Sequence, residues 1–258
     1  MSVEQRYATQ VKHFFSCLSY SILRTSSNHI REVKKLRRII ALLLCCGLLW
    51  IPSAQAKQTS YVALTFDDGP SGRFTRRLLD GLEERQVQAT FLLCGYRLKE
   101  YPKLAQRIYE AGHEIGLHGY SHKDMAKLSR KELLKEITET RVLLPDGCDA
   151  AFLRPPGGSG APLVEQVAQQ ENLALLLWSV DPRDWAVHDA GAVEAAVIRQ
   201  VSDGDVILLH DLSDSSVDAA LSIIDKLKLA GFEFVTVSEL AALKGIEIQP
   251  GQVYSSFS

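Results

Sequence analysis

The sequence predicts an α/β fold built on a parallel sheet. Seven short apolar runs alternate with segments of helical periodicity, which is the pattern of repeated βα units. The runs at 173–179 and 205–210 are apolar at successive positions, as expected for strands covered on both faces. Residues capable of chemistry follow five predicted strands, which favours a closed barrel over an open doubly wound sheet. These residues are Asp67, Asp68, His118, Arg154, Asp181, Asp184 and His210.

Helical signals separate the predicted strands. A helix is expected over 74–86, and another is expected to begin at Ser129 and to bury Leu133 and Ile137 on one face. Pro162 suits the first turn of a further helix. The strands are expected at 61–66, 89–94, 114–118, 150–154, 173–179, 205–210 and 232–237.

Charge divides the chain of 258 residues into two unlike segments. Residues 1–56 contain eight Lys and Arg residues against two Asp and Glu, whereas residues 57–258 contain 21 against 29. The second segment is long enough for one domain with a full core. Because it is acidic and has no basic patch, we expect no nucleic-acid partner. We also expect a monomer.

The N-terminal segment has the pattern of an export signal. A basic stretch at 34–38 precedes an apolar run at 39–51 and a small-residue site ending at Ala56. We therefore predict a signal peptide at 34–56, cleaved after Ala56, and a secreted or cell-envelope-associated protein. The alternative is a membrane anchor, but 13 apolar residues fall short of the roughly 20 that span a bilayer. Residues 1–33 are assigned to an N-terminal extension without readable chemistry.

Two cysteines, Cys94 and Cys148, follow the predicted cleavage site. Cys94 ends an apolar run, which favours a buried free thiol. A bridge between the two cysteines stays open as an alternative in an oxidising compartment.

Two adjacent carboxylates, Asp67 and Asp68, end the first predicted strand before a Gly-Pro turn. Neighbouring side chains in a strand point apart, so one carboxylate could face a metal ion and the other a reactant. The same sequence is also typical of a solvent-exposed turn.

Two histidines, His118 and His122, lie four positions apart after the third predicted strand. On a helical turn this spacing places both imidazoles on one face, where they could bind one ion, although such a pair also occurs by chance. Two imidazoles and one carboxylate resemble catalytic zinc sites, in which bound water reaches a pKa of about 7. The sequence contains no HExxH segment, the motif that would indicate a common metalloprotease. His113 and His188 lack such partners and are expected to be structural or surface residues.

Further candidates follow later strands. Arg154 could hold a carboxylate through a bidentate contact, and the Pro-Pro-Gly-Gly segment after it could present backbone amides to an oxyanion. His210 ends an apolar strand, which suits a general acid. Each feature alone has a structural explanation, as a loop or a core histidine. Their expected position on one face of the barrel favours a functional site.

Together these segments resemble the five motifs of the polysaccharide deacetylase family, also called the NodB-homology domain or carbohydrate esterase family 4. The resemblance covers roughly residues 60–245, within the predicted domain at 57–258. It implies a distorted (β/α)7 barrel, similar to a TIM barrel, and metal-dependent removal of acetyl groups from sugars. The matching segments are Thr65–Pro70, His118–His122, Arg154–Gly158, Asp181–Trp185 and Leu208–His210.

The resemblance also implies roles for four catalytic residues. Asp67 matches the catalytic base and His210 the catalytic acid. Asp184 would tune the acid, and Arg154 would support the polar network around the base.

The implied metal ligands are Asp68, His118 and His122, with Zn²⁺ the expected ion and Co²⁺ or another divalent ion as alternatives. Gly157 and Trp185 would contact substrate.

Two positions depart from the family pattern. Members usually have Ser or Thr at the position of Gly119 and an aromatic residue at the position of Gly157. Because neither change replaces a ligand, the acid or the base, we expect altered substrate preference and retained activity.

The expected activity is hydrolysis of a carbon–nitrogen bond in an acetylated polysaccharide, with N-acetylglucosamine of peptidoglycan as the first candidate. Alternatives are N-acetylmuramic acid, chitin oligomers, an exopolysaccharide, or O-acetyl groups of xylan. A different class of alternative is a non-catalytic glycan-binding module, which the complete set of catalytic and metal-binding candidates disfavours.

Overall fold

The computed structural model describes residues 59–258, together with Lys35 and Arg37. The predicted extension at 1–33 and the signal peptide at 34–56 otherwise lie outside the described residues, and they remain predictions. Within the described part of the chain, no helix combines the length and apolarity needed to cross a membrane.

Eight strands and eight α-helices make up residues 59–258. Each of the seven predicted apolar runs overlaps a strand, and an unpredicted eighth strand follows. The strands are β1 (Ser60–Asp67), β2 (Thr90–Leu93), β3 (Glu114–Leu117), β4 (Phe152–Leu153), β5 (Ala174–Leu176), β6 (Val206–His210), β7 (Phe232–Val235) and β8 (Val253–Tyr254). The helices are α1 (Gly72–Glu84), α2 (Gly95–Glu100), α3 (Pro102–Glu110), α4 (Arg130–Arg141), α5 (Pro162–Gln170), α6 (Ala190–Gln200), α7 (Asp214–Ala230) and α8 (Val237–Leu243). Two short 3₁₀ turns lie at Met125–Lys127 and Pro156–Gly158.

The strands form one curved sheet in the order β6-β1-β2-β3-β4-β5-β8, and every ladder between named strands is parallel. A further parallel bridge pairs Val180, after β5, with Ile207 of β6, which brings the two ends of the sheet together. β7 pairs with Ser60–Ala63 on the same edge of β1 that β2 occupies at Thr65–Asp67. The predicted distorted barrel is therefore confirmed, and this shared edge is one source of its irregularity.

The central strand β1 is buried on both faces. Val62, Leu64 and Phe66 belong to the apolar cluster shared with α1 and α7, whereas Ala63 packs in a separate cluster with side chains of the other strands. Because side chains alternate along a strand, Asp67 continues the face of Ala63. Along the inner face of β1, the apolar Ala63 is thus followed by the carboxylate of Asp67 at the C-terminal end of the strand.

The local helix signals are present in the structure. The Ser129 side chain caps α4 in a capping box with Glu132, and Leu133 and Ile137 are buried as predicted. Pro162 occupies the first turn of α5.

The eighth strand and the residues after it fill one end of the barrel. β8 pairs with β5, and the fully buried Phe257 stacks on Tyr254 and donates its amide to the carbonyl of Gly204. A side chain at Gly204 would clash with the Phe257 backbone, because a Cβ there would lie 2.8 Å from it.

Candidate active site

A cavity of about 400 Å³ lies where the C-terminal ends of the strands meet. Seven of the nine predicted site residues line this cavity, while Arg154 and Asp184 lie behind its wall in contact with lining residues. The lining residues are Asp67, Asp68, His118, His122, Gly157, Trp178, Asp181, Trp185, Leu208 and His210.

Three predicted metal ligands converge at one side of the cavity. Oδ1 of Asp68 lies 3.3 Å from Nε2 of His118 and 3.0 Å from Nε2 of His122. Two atoms that each lie about 2.1 Å from one ion are about 3.0 Å apart at a right angle and about 3.4 Å apart at the tetrahedral angle. The observed separations therefore fit a shared divalent cation.

The tautomer of His118 also fits a metal ligand. Its Nδ1 lies 2.7 Å from the backbone oxygen of Arg154, which can only accept a hydrogen bond. Nδ1 therefore carries a proton, so Nε2 is the ring nitrogen that can bind a cation beside Asp68 and His122. The backbone of Arg154 thus holds the buried ring in this orientation.

The two histidines meet through a loop, so the expectation of a helical turn is wrong. β3 ends at Leu117, and residues 118–124 are irregular. Gly119 and His122 both have left-handed backbone conformations, with φ of 75° and 55°. These two residues turn the chain so that the imidazoles converge.

The adjacent carboxylates also converge instead of pointing apart. β1 ends at Asp67, and Asp68 has a left-handed backbone with φ of 72°. As a result, Nε2 of His118 lies 3.7 Å from Oδ2 of Asp67 as well as 3.3 Å from Asp68. The alternation expected of a strand stops at Asp67.

Arg154 contacts Asp67 through a single nitrogen. Nη1 donates to Oδ1 of Asp67 at 2.6 Å and to the hydroxyl of Thr65 at 2.9 Å. Its other donors are directed to the carbonyls of Leu176 and Leu177. The predicted bidentate contact is therefore wrong, because backbone carbonyls of the β5 region take the remaining N–H groups of this fully buried side chain.

Asp184 accepts two hydrogen bonds from His210. Its Oδ1 accepts from Nδ1 of His210 at 2.8 Å, and its Oδ2 accepts from the backbone amide of His210 at 2.8 Å. Burial lowers the pKa of His210, but the hydrogen bond to Asp184 and the charges of Asp184, Asp67 and Asp68 outweigh it and raise the pKa to about 9. His210 is therefore protonated at neutral pH.

The two partly exposed ligands polarise each other. Burial raises the pKa of Asp68, but hydrogen bonds with His118 and His122 outweigh that effect and hold the pKa well below its usual range. The hydrogen bond with Asp68 in turn raises the pKa of His122. Asp68 is accordingly an anion available to a cation.

Comparisons with known proteins assign this arrangement to a family. The sequence model of the polysaccharide deacetylase family matches residues 54–176. The peptidoglycan-N-acetylglucosamine deacetylase of Bacillus cereus is 35% identical over 189 residues, which cover 71% of this chain and 89% of that protein. This chain belongs to the polysaccharide deacetylase family.

Two longer members of the polysaccharide deacetylase family are also similar. The peptidoglycan-N-acetylglucosamine deacetylase PgdA of Listeria monocytogenes is 36% identical over 202 residues, and the peptidoglycan-N-acetylmuramic acid deacetylase PdaC of Bacillus subtilis is 38% identical over 185. The matches cover 78% and 71% of this chain. They span only 42% and 39% of those two proteins.

Solved structures of the family share the fold. T48 deacetylase with substrate superposes with a TM-score of 0.72 at 37% identity, covering 76% of this chain and 97% of that one. A family 4 acetyl xylan esterase from Clostridium thermocellum, in complex with a cobalt ion, gives 0.71 at 36% identity, covering 76% and 98%.

The rim of this family member's cavity is aromatic on one side. The Trp185 side chain is 55% exposed, and the Arg183 guanidinium lies 5.3 Å from its ring centroid. Trp178 packs deeper, where a Cβ on Gly158 would come within 2.9 Å of its ring. Gly157 is exposed with φ of 67°, a conformation that favours glycine.

The two cysteines do not pair, and two residues outside the predicted set lie at or beside the site. Cys94 and Cys148 are free thiols, so the bridge left open by the sequence is not formed. Trp178 lines the cavity without having been predicted as a site residue, and Glu136 contacts the loop between the two histidine ligands. A carboxylate on the buried face of α4 was the available signal for Glu136.

Proposed function

We propose that this chain is a metal-dependent hydrolase that removes N-acetyl groups from a glycan, with N-acetylglucosamine of peptidoglycan as the first candidate. The observation that carries the proposal is the convergence of Asp67, the three candidate ligands and His210 on one cavity. The similarity to peptidoglycan deacetylases supports the substrate class.

Asp68, His118 and His122 would hold the divalent cation, for which Zn²⁺ is the first candidate and Co²⁺ an alternative. When bound, the cation would act as a Lewis acid on the acetyl carbonyl and would acidify water. The cobalt ion in the related acetyl xylan esterase supports a divalent metal at this type of site.

Asp67 is the proposed general base. Its Oδ1 is held by Arg154, whereas its Oδ2 faces the ligand atom of His118 at 3.7 Å. The carboxylate is thus fixed with one oxygen directed at the place where water would attack the acetyl carbon. Oδ2 would accept the proton of that water as the new carbon–oxygen bond forms.

His210 is the proposed general acid. Because Nδ1 donates to Asp184, Nε2 is the nitrogen available to the cavity. With a pKa of about 9, the imidazolium is populated at neutral pH and can protonate the departing amine. Cleavage of the carbon–nitrogen bond then gives acetate and a glucosamine unit.

Gly157 and Trp185 are the proposed substrate contacts. Both line the cavity, and the indole face of Trp185 is exposed enough to stack on a sugar ring. The backbone amide of Gly157 would donate to the developing oxyanion.

The proposed setting is outside the cell membrane. The predicted export signal and the similarity to peptidoglycan deacetylases support a secreted or envelope-associated protein that acts on an acetylated polysaccharide. We propose that it acts as a monomer.

The direct test incubates zinc-loaded protein with peptidoglycan, chitin oligomers and acetylated xylan, and measures acetate release and product masses. We expect acetyl loss from N-acetylglucosamine of peptidoglycan. Preferential release from xylan would instead support the O-acetyl esterase alternative, which the similarity to the acetyl xylan esterase favours. Glycan binding without turnover, with Zn²⁺ or with Co²⁺ added, would support the non-catalytic alternative.

A further inference from the structure

The loop between the two histidine ligands has an unusual backbone. Residues 119–121 connect His118 to His122, and His122 is a non-glycine residue with φ of 55°. Such a conformation is unfavourable for a non-glycine residue and persists only where neighbouring groups determine it. The groups that fix this loop therefore influence where the Nε2 atom of His122 lies.

Glu136, on α4, supplies three of these contacts. Its Oε2 accepts from the backbone amides of Tyr120 and Ser121, both at 2.7 Å, and its Oε1 accepts from the hydroxyl of Ser121 at 2.6 Å. The residue is only 8% exposed. This buried carboxylate is balanced by donors that all belong to the loop between the ligands.

The opposite side of the loop is also fixed. The amides of Gly95 and Tyr96, at the start of α2, donate to the carbonyls of Gly119 and Tyr120 at 2.9 and 3.0 Å. Successive peptide groups of the loop are therefore bonded to two different elements. Among these hydrogen bonds, Glu136 is the only side chain from outside the loop.

Gly119 allows the carboxylate to approach. A Cβ at this position would lie 3.2 Å from Oε2 of Glu136 and 2.7 Å from the terminal methyl of Met125. Gly119 itself brings no hydroxyl that could anchor the loop. The side-chain anchor of the loop from outside it is therefore Glu136, which occupies the space beside the glycine.

We propose that Glu136 is a positioning residue for the metal site: it holds the 119–121 loop so that His118 and His122 reach one cation. The inference rests on the proposed metal-dependent function. Glu136 touches neither the candidate ligand atoms nor the cavity, so its effect passes through the loop.

The chain offers graded substitutions and a matched control. Glu136→Ala removes all three acceptors, and loss of such outer contacts typically lowers metal affinity about 10–100-fold. Glu136→Gln keeps an oxygen for the two amides and can donate to the Ser121 hydroxyl, so a loss of less than about 10-fold is expected. Glu139→Ala removes an exposed carboxylate from the same helix, whose ion pair with Lys135 is 3.8 Å long, and should leave metal affinity unchanged.

The experiment measures Zn²⁺ and Co²⁺ dissociation constants of the full chain by chelator competition, without substrate. The visible spectrum of bound Co²⁺ and the melting temperature of each metal-free protein are recorded alongside. We expect weaker binding and an altered Co²⁺ spectrum in Glu136→Ala, and near wild-type values in Glu139→Ala. A purely structural role would lower the melting temperature and leave both metal readouts unchanged.

A folded Glu136→Ala protein that binds both metals as tightly as Glu139→Ala overturns the inference. If Glu136→Ala does not fold, Glu136→Gln and Ser121→Ala decide the question, and wild-type affinity in both overturns it. Acetate release by the wild-type protein separates the two proposals. If the wild type releases acetate and the Glu136 variants bind metal as tightly as wild type, only the role of Glu136 is refuted. If the wild type binds metal but releases no acetate, the proposed function is refuted.

Discussion

Asp184→Asn should remove the negative charge that keeps His210 protonated. Asp184 contributes both a hydrogen bond and a negative charge to His210, whose pKa is about 9. Without that charge, the pKa should fall to about 6.5 or below, because burial alone disfavours the imidazolium. The predicted consequence is that His210 is deprotonated in alkaline solution and can no longer act as the general acid.

The size of the effect follows from the two pKa values of His210. At pH 8 a group with a pKa of about 9 is roughly 90% protonated, whereas one with a pKa of about 6.5 is roughly 3% protonated. Acetate release should therefore fall roughly 30-fold at pH 8 through protonation alone, but less than about twofold at pH 6. The alkaline limb of the pH profile should move down by about 2.5 pH units.

The raised pKa of His210 also stabilises the fold. Its contribution is fully present below the unfolded pKa of about 6.5 and is lost as the pH rises through about 9, because the folded state binds the proton more tightly. The difference corresponds to about 3 kcal/mol at most. Asp184→Asn should accordingly reduce the pH dependence of unfolding between pH 6 and pH 9.

The assay is an NMR titration of the His210 ring proton in the metal-free protein, combined with acetate release at several pH values. Asp181→Asn is the matched control, because this cavity carboxylate has no bond to His210, whose titration should stay near pH 9. Titration of His210 near pH 9 in Asp184→Asn, with an unmoved alkaline limb, would refute the reasoning.

Two further substitutions and one depletion test other parts of the structure. Arg154→Met leaves Asp67 buried without its cation, so the free energy of unfolding in urea should fall by about 3–5 kcal/mol and acetate release should be lost. Phe257→Ala empties a fully buried site and should cost about 3–5 kcal/mol in the same measurement. Removal of metal by a chelator should abolish acetate release and lower the melting temperature, and added Zn²⁺ or Co²⁺ should restore both.

The control for Phe257→Ala is a substitution at an exposed position, and the other two experiments are compared with the wild-type protein. Leu229→Ala alters a side chain on α7 that is 89% exposed and should change the unfolding free energy by no more than about 0.5 kcal/mol. Equal effects of Phe257→Ala and Leu229→Ala would contradict the packing described for β8. An Arg154→Met protein as stable as wild type would contradict the buried ion pair, and full acetate release after verified metal removal would contradict the metal site.

The parallel sheet of the barrel could be anticipated from sequence where the strands are apolar at successive positions. β5 and β6 have apolar side chains on both faces, which indicated a buried parallel sheet. β8 could not be predicted, because two residues carry no periodicity. The pairing of β7 with half of β1 depends on contacts between distant segments, which local patterns do not encode.

The candidate site shows a similar division. Sequence spacing brought His118 and His122 together, but it could not distinguish a helical turn from a loop with a left-handed residue. Asp68 turns toward Asp67 for the same backbone reason. The four partners of Arg154 include two carbonyls, and which carbonyls face a buried guanidinium depends on the tertiary fold.

The most direct measurement of the central claim compares zinc-loaded wild-type protein with His118→Ala on purified peptidoglycan. Released acetate and the masses of the glycan products are determined together, after circular dichroism has shown that the variant is folded. We predict acetate in equal amount to acetyl groups lost from N-acetylglucosamine in the wild type, and none from His118→Ala. Undiminished acetate release by folded His118→Ala, or no acetyl loss from peptidoglycan with the metal-loaded wild type, would contradict the account.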